Sequence, residues 1–165
     1  MNPIWTARRM SPCEAAWVAG ILDGEGSVVM RAKPYPGGRR YFVAGLSVCN
    51  TDTDLIARLV EFTGIGRVSM NLRMNHKRKE IWRWQTDQRQ AAAVVEQLMP
   101  WLTCKRRVAE LLLEFQTLRR PGKYRPGDRD RQLAIIQEVH RLNQRGSEEA
   151  QTDTSAAEVR LSEHG

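Results

Sequence analysis

The stretch WVAGILDGEGSVVMR, Trp17 to Arg31, decides how the rest of the chain is read. Its first half continues an apolar run with small residues interspersed from Ala15 to Leu22, and Ser27 to Arg31 has the composition of a starting strand. Between them stand two carboxylates fenced by two glycines, Asp23-Gly24-Glu25-Gly26. A plain helix-to-strand turn asks for one glycine at positive φ. The second glycine and the second acid therefore need another purpose. Upstream, Ser11 reads as an N-cap, Pro12 as the first helical residue and Glu14 as the closing member of a capping box, so a helix is predicted from Pro12 to about Leu22. On it Cys13, Ala16, Trp17, Gly20 and Gly24 form one stripe, and Ala15, Val18, Ala19 and Leu22 another. A mid-helix glycine costs about 1 kcal/mol relative to alanine, and close approach of a second helix is the usual return.

Beyond this helix, Ser27–Lys33 and Tyr41–Cys49 are strand-like and joined by the Pro- and Gly-punctuated PYPGGRR, which predicts a hairpin. TDTDLIARLVEFTG spaces Leu55, Ile56, Leu59, Val60 and Phe62 as a helix does, with Thr51 or Thr53 as cap and Gly64 as stop. GRVSMNLRM and KEIWRWQT alternate with period two around the cationic turn NHKRK, a second hairpin. RQAAAVVEQLMPWL is helical up to Pro100, KRRVAELLLEFQTL is helical again, and RDRQLAIIQEVHRLNQRG gives a last helix ending at Gly146. The order predicts an α+β fold with four antiparallel strands and the helices on one side. Residues 1–146 are expected to form one domain, and 147–165 an acidic, flexible tail.

Period-two alternation sorts each strand into faces. Val29, Arg31 and Lys33 share one face of the first strand; Phe42, Ala44, Leu46 and Val48 oppose Tyr41, Val43, Gly45 and Ser47 on the second. Val68, Met70, Leu72 and Met74 oppose Arg67, Ser69, Asn71 and Arg73 on the third, and Trp82, Trp84 and Thr86 oppose Arg83 and Gln85 on the fourth, where Ile81 is ambiguous. The non-core face thus collects guanidinium, ammonium, hydroxyl and amide groups without an acid. A solvated sheet face is the plain alternative, but these are the side chains that read base edges. A strand of about eight residues spans roughly 26 Å, or about seven to eight base pairs at the rise of B-form DNA. Arg39 and Arg40 at one hairpin tip, and His76–Lys79 with Lys77 at the other, are expected to meet phosphates.

The charge balance agrees. The chain of 165 residues has a formal net charge of +7, and Ser147–Gly165 holds five acids against one base, so the body is more cationic than the whole. That points to a polyanionic partner rather than a membrane, because no apolar run approaches the ~20 residues of a span and no broad apolar helix face accompanies the cations. The three cysteines, Cys13, Cys49 and Cys104, are scattered without a C-x-x-C pair. They are expected to be core thiols rather than zinc ligands or disulfides. An N-terminus without a secretory pattern makes the expected location intracellular, with DNA, in a bacterial or phage cytoplasm or an organelle.

VAGILDGEG, Val18 to Gly26, resembles the signature of the LAGLIDADG homing endonucleases, and SVCNTD, LIARLVEFTGIGRV, WRWQ and LMPWLTCKRR are similar to that family's later blocks in the same order. The resemblance runs from about Ala15 to Gly146. It implies an αββαββα fold whose four-stranded antiparallel saddle grips DNA, with helices on the other face. It implies that Glu25 and the backbone carbonyl of Gly24 bind Mg²⁺ or Mn²⁺ at the scissile phosphate, that Asn50 holds water near the metal, and that Lys105 supports the water network or developing charge. Asp23 is then structural, bonding locally at the helix end. The family motif most often ends in Asp, so Glu25 is a variant. Asn50 could instead start the turn before the helix at Thr51, Lys105 could be a solvated helix residue, and Arg106 could substitute for it. Asp52 and Asp54 stand where some members carry a further base, so no second base is carried over.

Only one copy of the motif is present, so cutting both strands requires a homodimer with Trp17, Gly20 and Gly24 at its axis and a palindromic site of roughly 20 base pairs. The expected function is a site-specific, double-strand DNA endonuclease. The alternative is a non-cutting DNA-binding regulator or an intron maturase on the same scaffold, the latter also binding intron RNA. An RNA-binding structural protein is disfavoured because base-reading strands are wasted on the narrow major groove of A-form RNA. The histidines His76, His140 and His164 are too scattered for a ββα-metal nuclease, and GIGRV is a turn.

Overall fold

The computed structural model describes residues 6–38, 40–71, 80–119 and 125–144. In chain order it contains α1 (Pro12–Glu25), β1 (Gly26–Pro34), β2 (Arg40–Asn50), α2 (Thr53–Thr63), β3 (Arg67–Asn71), β4 (Ile81–Gln85), α3 (Gln88–Leu98) and α4 (Arg106–Thr117). A fifth helix, α5, covers 128–144. The four strands form one antiparallel sheet in the order β1-β2-β4-β3, so the predicted α+β order holds.

The start of α1 follows the sequence: Ser11 accepts from the Glu14 amide and Glu14 reaches back to the Ser11 amide, with Pro12 at the first position. Its end does not. The helix runs one turn past Leu22 and includes Asp23, Gly24 and Glu25. Gly26 closes it in extended conformation, φ −86°, so positive φ is not why glycine stands there. A Cβ at Gly26 would lie 2.7 Å from the Leu22 carbonyl oxygen and 2.8 Å from its Cα. Only glycine lets β1 leave the helix this tightly. In α2 the cap is Asp52 rather than either threonine, its carboxylate accepting from the amides of Asp54 and Leu55. A carboxylate oxygen carries full negative charge and accepts both amides at once, which a neutral hydroxyl does less well. At α3, Asp87 and Gln90 form a capping box.

Strand pairing places Trp84 opposite both Val48 and Val68, so these three share the core face. Trp84 is fully buried, and its indole N–H donates to the Ile65 carbonyl at 2.9 Å. Gly66, at φ 99°, lies under the ring; a Cβ there would meet the indole Cε2 at 2.8 Å. The same face buries Val28, Met30, Ala44, Leu46 and Val48 against α1, α3 and α4, where Leu98, Leu111, Leu112 and Phe115 complete the core. Val68 and Met70 have the core-facing parity but remain 39% and 40% exposed, because β3 is the sheet's outer strand. None of the cysteines is a core thiol. Cys13 and Cys104 are exposed and Cys49 half-buried, since they fall on the open side of α1, ahead of α4 and on the non-core face of β2.

The other outer strand, β1, is covered by α5. His140 donates from its ring to the Met30 carbonyl at 2.9 Å, and Arg129 donates to the Arg40 carbonyl while lying over the Phe42 ring. Ile135, Ile136 and Val139 bury against the core, and Arg131–Glu114 and Arg107–Glu138 pairs join α5 to α4.

A strap at residues 6–10 ties α1 to α2. Arg8 donates its backbone N–H to the Thr63 carbonyl and its guanidinium to the Glu61 and Phe62 carbonyls and to Glu14. The Ser11 amide, then the Arg8 guanidinium, pull the Glu14 carboxyl down to about 2 from an ordinary value of 4.5. A depressed carboxyl stabilises the fold fully above its unfolded pKa, and that contribution fades as pH falls through the folded one. The chain is therefore expected to lose resistance to urea between pH 4.5 and 2, and Glu14→Gln to be weaker near neutrality with a flatter acid limb. Urea midpoints measured across that range check this.

Candidate nucleic-acid interface and acidic site

The sheet face turned away from α1–α4 carries Ser27, Val29, Arg31 and Lys33 from β1, and Tyr41, Val43, Gly45, Ser47 and Cys49 from β2. Ile81, Arg83 and Gln85 of β4 and Arg67, Ser69 and Asn71 of β3 complete it, which settles Ile81 by register. Arg31, Lys33, Tyr41 and Arg67 are exposed, and Ser47, Ser69, Arg83 and Gln85 half-buried. No acid belongs to these rows among the described residues. Arg83 Nε donates to Cys49 Sγ at 3.2 Å, a contact that fixes its guanidinium and that period-two reading gave no sign of. Arg40 is exposed but has the parity of Phe42, so it stands at the loop end of the hairpin beside the reading rows, not in them. Arg39, Arg73, Lys77, the remainder of the cationic turn and residues 147–165 lie outside the described residues, as does the side chain of Asn71.

At the far end of the sheet, α1 delivers its two acids to opposite uses. The Asp23 carboxylate accepts three consecutive amides just ahead of α4: Thr103 at 2.7 Å, Cys104 at 3.2 Å and Lys105 at 2.8 Å. Lys105 Nζ in return donates to the Asp23 carbonyl. Asp23 is thus structural but not local, contrary to expectation; its partners are some 80 residues away. Lys105, the N-cap residue of α4, gives the helix no side-chain cap, and Asp23 instead holds the Lys105 amide and the two amides before it. Glu25, two residues on, is exposed and has no side-chain hydrogen bond or ion pair among the described residues. Lys105 is therefore not a solvated helix residue: it stands half-buried against the turn of α1 that carries Gly24 and Glu25.

Asn50 ends β2 on the helix side of the sheet, opposite Trp82. Its Oδ1 accepts the Asp52 amide at 2.9 Å, the turn-starting role that was the plainer of its two readings. Gly20 and Gly24 are exposed, and a Cβ at either would meet nothing within 4 Å. Trp17 flanks this open strip and is edge-on to Phe62 of α2, centroids 5.3 Å apart. Apolar residues surround α1 on every side, yet only Ala15, Val18, Ala19 and Leu22 are buried within the chain.

No protein-family model matches the chain, and no curated protein matches it. Solved structures do. The chain is similar to the archaeal intron-encoded homing endonuclease I-Vdi141I complexed with DNA, with a TM-score of 0.67 and 15% identity over 79% of this chain and 84% of that one. It is similar to the homing endonuclease I-CvuI, in complex with an uncleaved DNA target in the presence of Mg, with a TM-score of 0.66 and 18% identity over 79% and 82%. The homing endonuclease I-TnaI gives 0.62 and 19% over 81% of this chain and 96% of its own. At these identities the likeness is one of backbone architecture, and it spans most of each of those chains. The fold of this chain is that of the LAGLIDADG homing endonucleases.

Proposed function

We propose that the protein is a site-specific DNA endonuclease that acts as a homodimer on a long, palindromic double-stranded site and hydrolyses one phosphodiester in each strand with divalent metal. The observation that carries this reading is that Glu25, without a side-chain partner among the described residues, and Lys105, held against the same turn, stand together at the end of α1 beside a cationic sheet face whose described rows hold no acid.

The donor chemistry fits Mg²⁺ or Mn²⁺. Glu25 and the Gly24 carbonyl offer oxygen only, as hard cations require. Among the described residues no cluster of three His, Cys, Asp or Glu could hold a metal, so a chain contributes a partial set that substrate phosphate, and the second copy, would complete. Bound there, such an ion polarises the phosphoryl oxygen and lowers the pKa of water. Glu25 and Gly24 would hold it. Lys105 would stabilise charge that develops on the phosphate or hold the attacking water in place. Arg31, Lys33, Tyr41, Ser47, Arg67, Ser69, Arg83 and Gln85 would contact bases and backbone, and Arg40 a phosphate at the rim. Asn50 accepts the Asp52 amide and keeps its amide nitrogen and a second lone pair of Oδ1 for water. Its turn-starting bond supports, as second reading, a binder on this scaffold that does not cut, either a regulator or a maturase.

Two copies meeting along Gly20 and Gly24 would bury the apolar face of α1 that the described residues leave open. Gly20→Leu, harmless to the isolated fold because the strip is empty, is expected to shift light scattering from the mass of two chains to that of one. A plasmid carrying the uninterrupted flank of the gene's insertion point tests the chemistry. Glu25→Gln is expected to abolish double-strand breaks in Mg²⁺ while DNA binding in Ca²⁺ persists. Specific binding by the parent protein without cleavage in Mg²⁺ or Mn²⁺ would leave the non-cutting reading.

A further inference from the structure

We infer that Asp23 is a positioning residue for the cleavage reaction, acting through Lys105; this rests on the proposed role of Lys105. The two residues form a reciprocal clamp. Asp23 presents Oδ2 to the amides of Thr103 and Cys104 and Oδ1 to the amide of Lys105, which fixes the backbone from which Lys105 projects. The Lys105 ammonium then closes on the carbonyl of Asp23, at the C-terminal end of α1. The ammonium sits where the partial negative charge of α1 favours a cation, and the carboxylate where the partial positive charge of α4 favours an anion. The long lysine side chain loses its rotamer freedom in the folded protein rather than during the reaction.

A cap that only stabilised α4 would need one or two acceptor contacts, and any acid near its first turn would serve. Here the carboxylate takes three amides, and its own main chain receives the side chain of the third donor. That return contact is what ties the cap to the site. Asp23→Asn keeps the size but turns one oxygen into an NH₂ group, which must face either the Lys105 amide or the Thr103 and Cys104 amides. Donor then meets donor, and the backbone under Lys105 is released.

The test compares the parent protein, Asp23→Asn, Lys105→Met and the double variant at a temperature where all are folded. Single-turnover cleavage of the flank-bearing plasmid is expected to slow about 10- to 100-fold in Asp23→Asn, in the range of lost supporting contacts around metal sites. Its affinity for the same DNA in Ca²⁺ should stay within about threefold of the parent, a split a general loss of structure would not give. The double variant should be no slower than Lys105→Met alone. In metal-free protein, amide hydrogen exchange at Thr103 and Lys105 should accelerate in Asp23→Asn while the buried amides of α4 hold. Asp23→Ser, with one acceptor oxygen, serves where the Asn variant is too unstable to purify. Parental cleavage by Asp23→Asn, or losses that multiply in the double variant, would overturn the inference with the endonuclease reading intact. Parental cleavage by Lys105→Met would overturn the role of Lys105 itself, and the inference with it.

Discussion

Everything at the acidic end of the molecule depends on one carboxylate meeting three amides. The Asp23 carboxylate takes the amides of Thr103, Cys104 and Lys105, which lead into α4, and α4 in turn presses Leu111, Leu112 and Phe115 into the core under the sheet. Charge-assisted bonds of this kind are among the stronger ones a protein can make. By joining the C-terminal end of α1 to the N-terminal end of α4, the contact lets two helix dipoles face each other with the compensating charge built in. It also spares Glu25. With Asp23 committed to structure, the second acid is left exposed and without a side-chain partner among the described residues.

The sheet obeys a complementary constraint. Its core face is locked by Trp84, whose N–H and ring both contact the turn after α2, so the second hairpin has little freedom to slide. Its other face can then be polar in every row without loss of register. At the outer edge of β1, His140 of α5 takes up the Met30 carbonyl, so part of that flank is occupied beside the exposed cations. A cationic surface of this kind gains affinity from phosphates in a salt-dependent way and leaves base discrimination to the forked donors and amides.

Much of this was legible in the residues. Period two placed Tyr41 to Val48 of β2 and Trp82 to Gln85 of β4 on the faces they occupy, because burial on one side leaves no other register, whereas Ile81 and Cys49 needed the observed pairing. Ser11-Pro12-Cys13-Glu14 gave the start of α1 for an equally local reason. What failed was long-range or depended on which of two nearby groups won. Asp23 gave no sign that its partners were at Thr103–Lys105, since hydrogen bonds across the chain leave no spacing to read. Asp52 took the α2 cap from the threonines beside it. The end of α1 was placed too early because Gly24 reads as a breaker, although in the fold it is an ordinary helical residue and Gly26 is the one that sterics require. The cysteines look like core residues by type and are not, because the faces they occupy are open in a single chain.

The central claim is that two copies of α1 meet along Gly20 and Gly24 and bring two Glu25 carboxylates to the two strands of one DNA. A crystal structure of the protein on its uninterrupted flank DNA in Ca²⁺ tests it most directly. The account predicts a twofold axis through paired α1 helices, the Arg31 and Arg67 face in the major groove, and each Glu25 with a calcium ion at a backbone phosphate. A single copy on the DNA, or a dimer joined elsewhere with both Glu25 side chains away from phosphate, would contradict it.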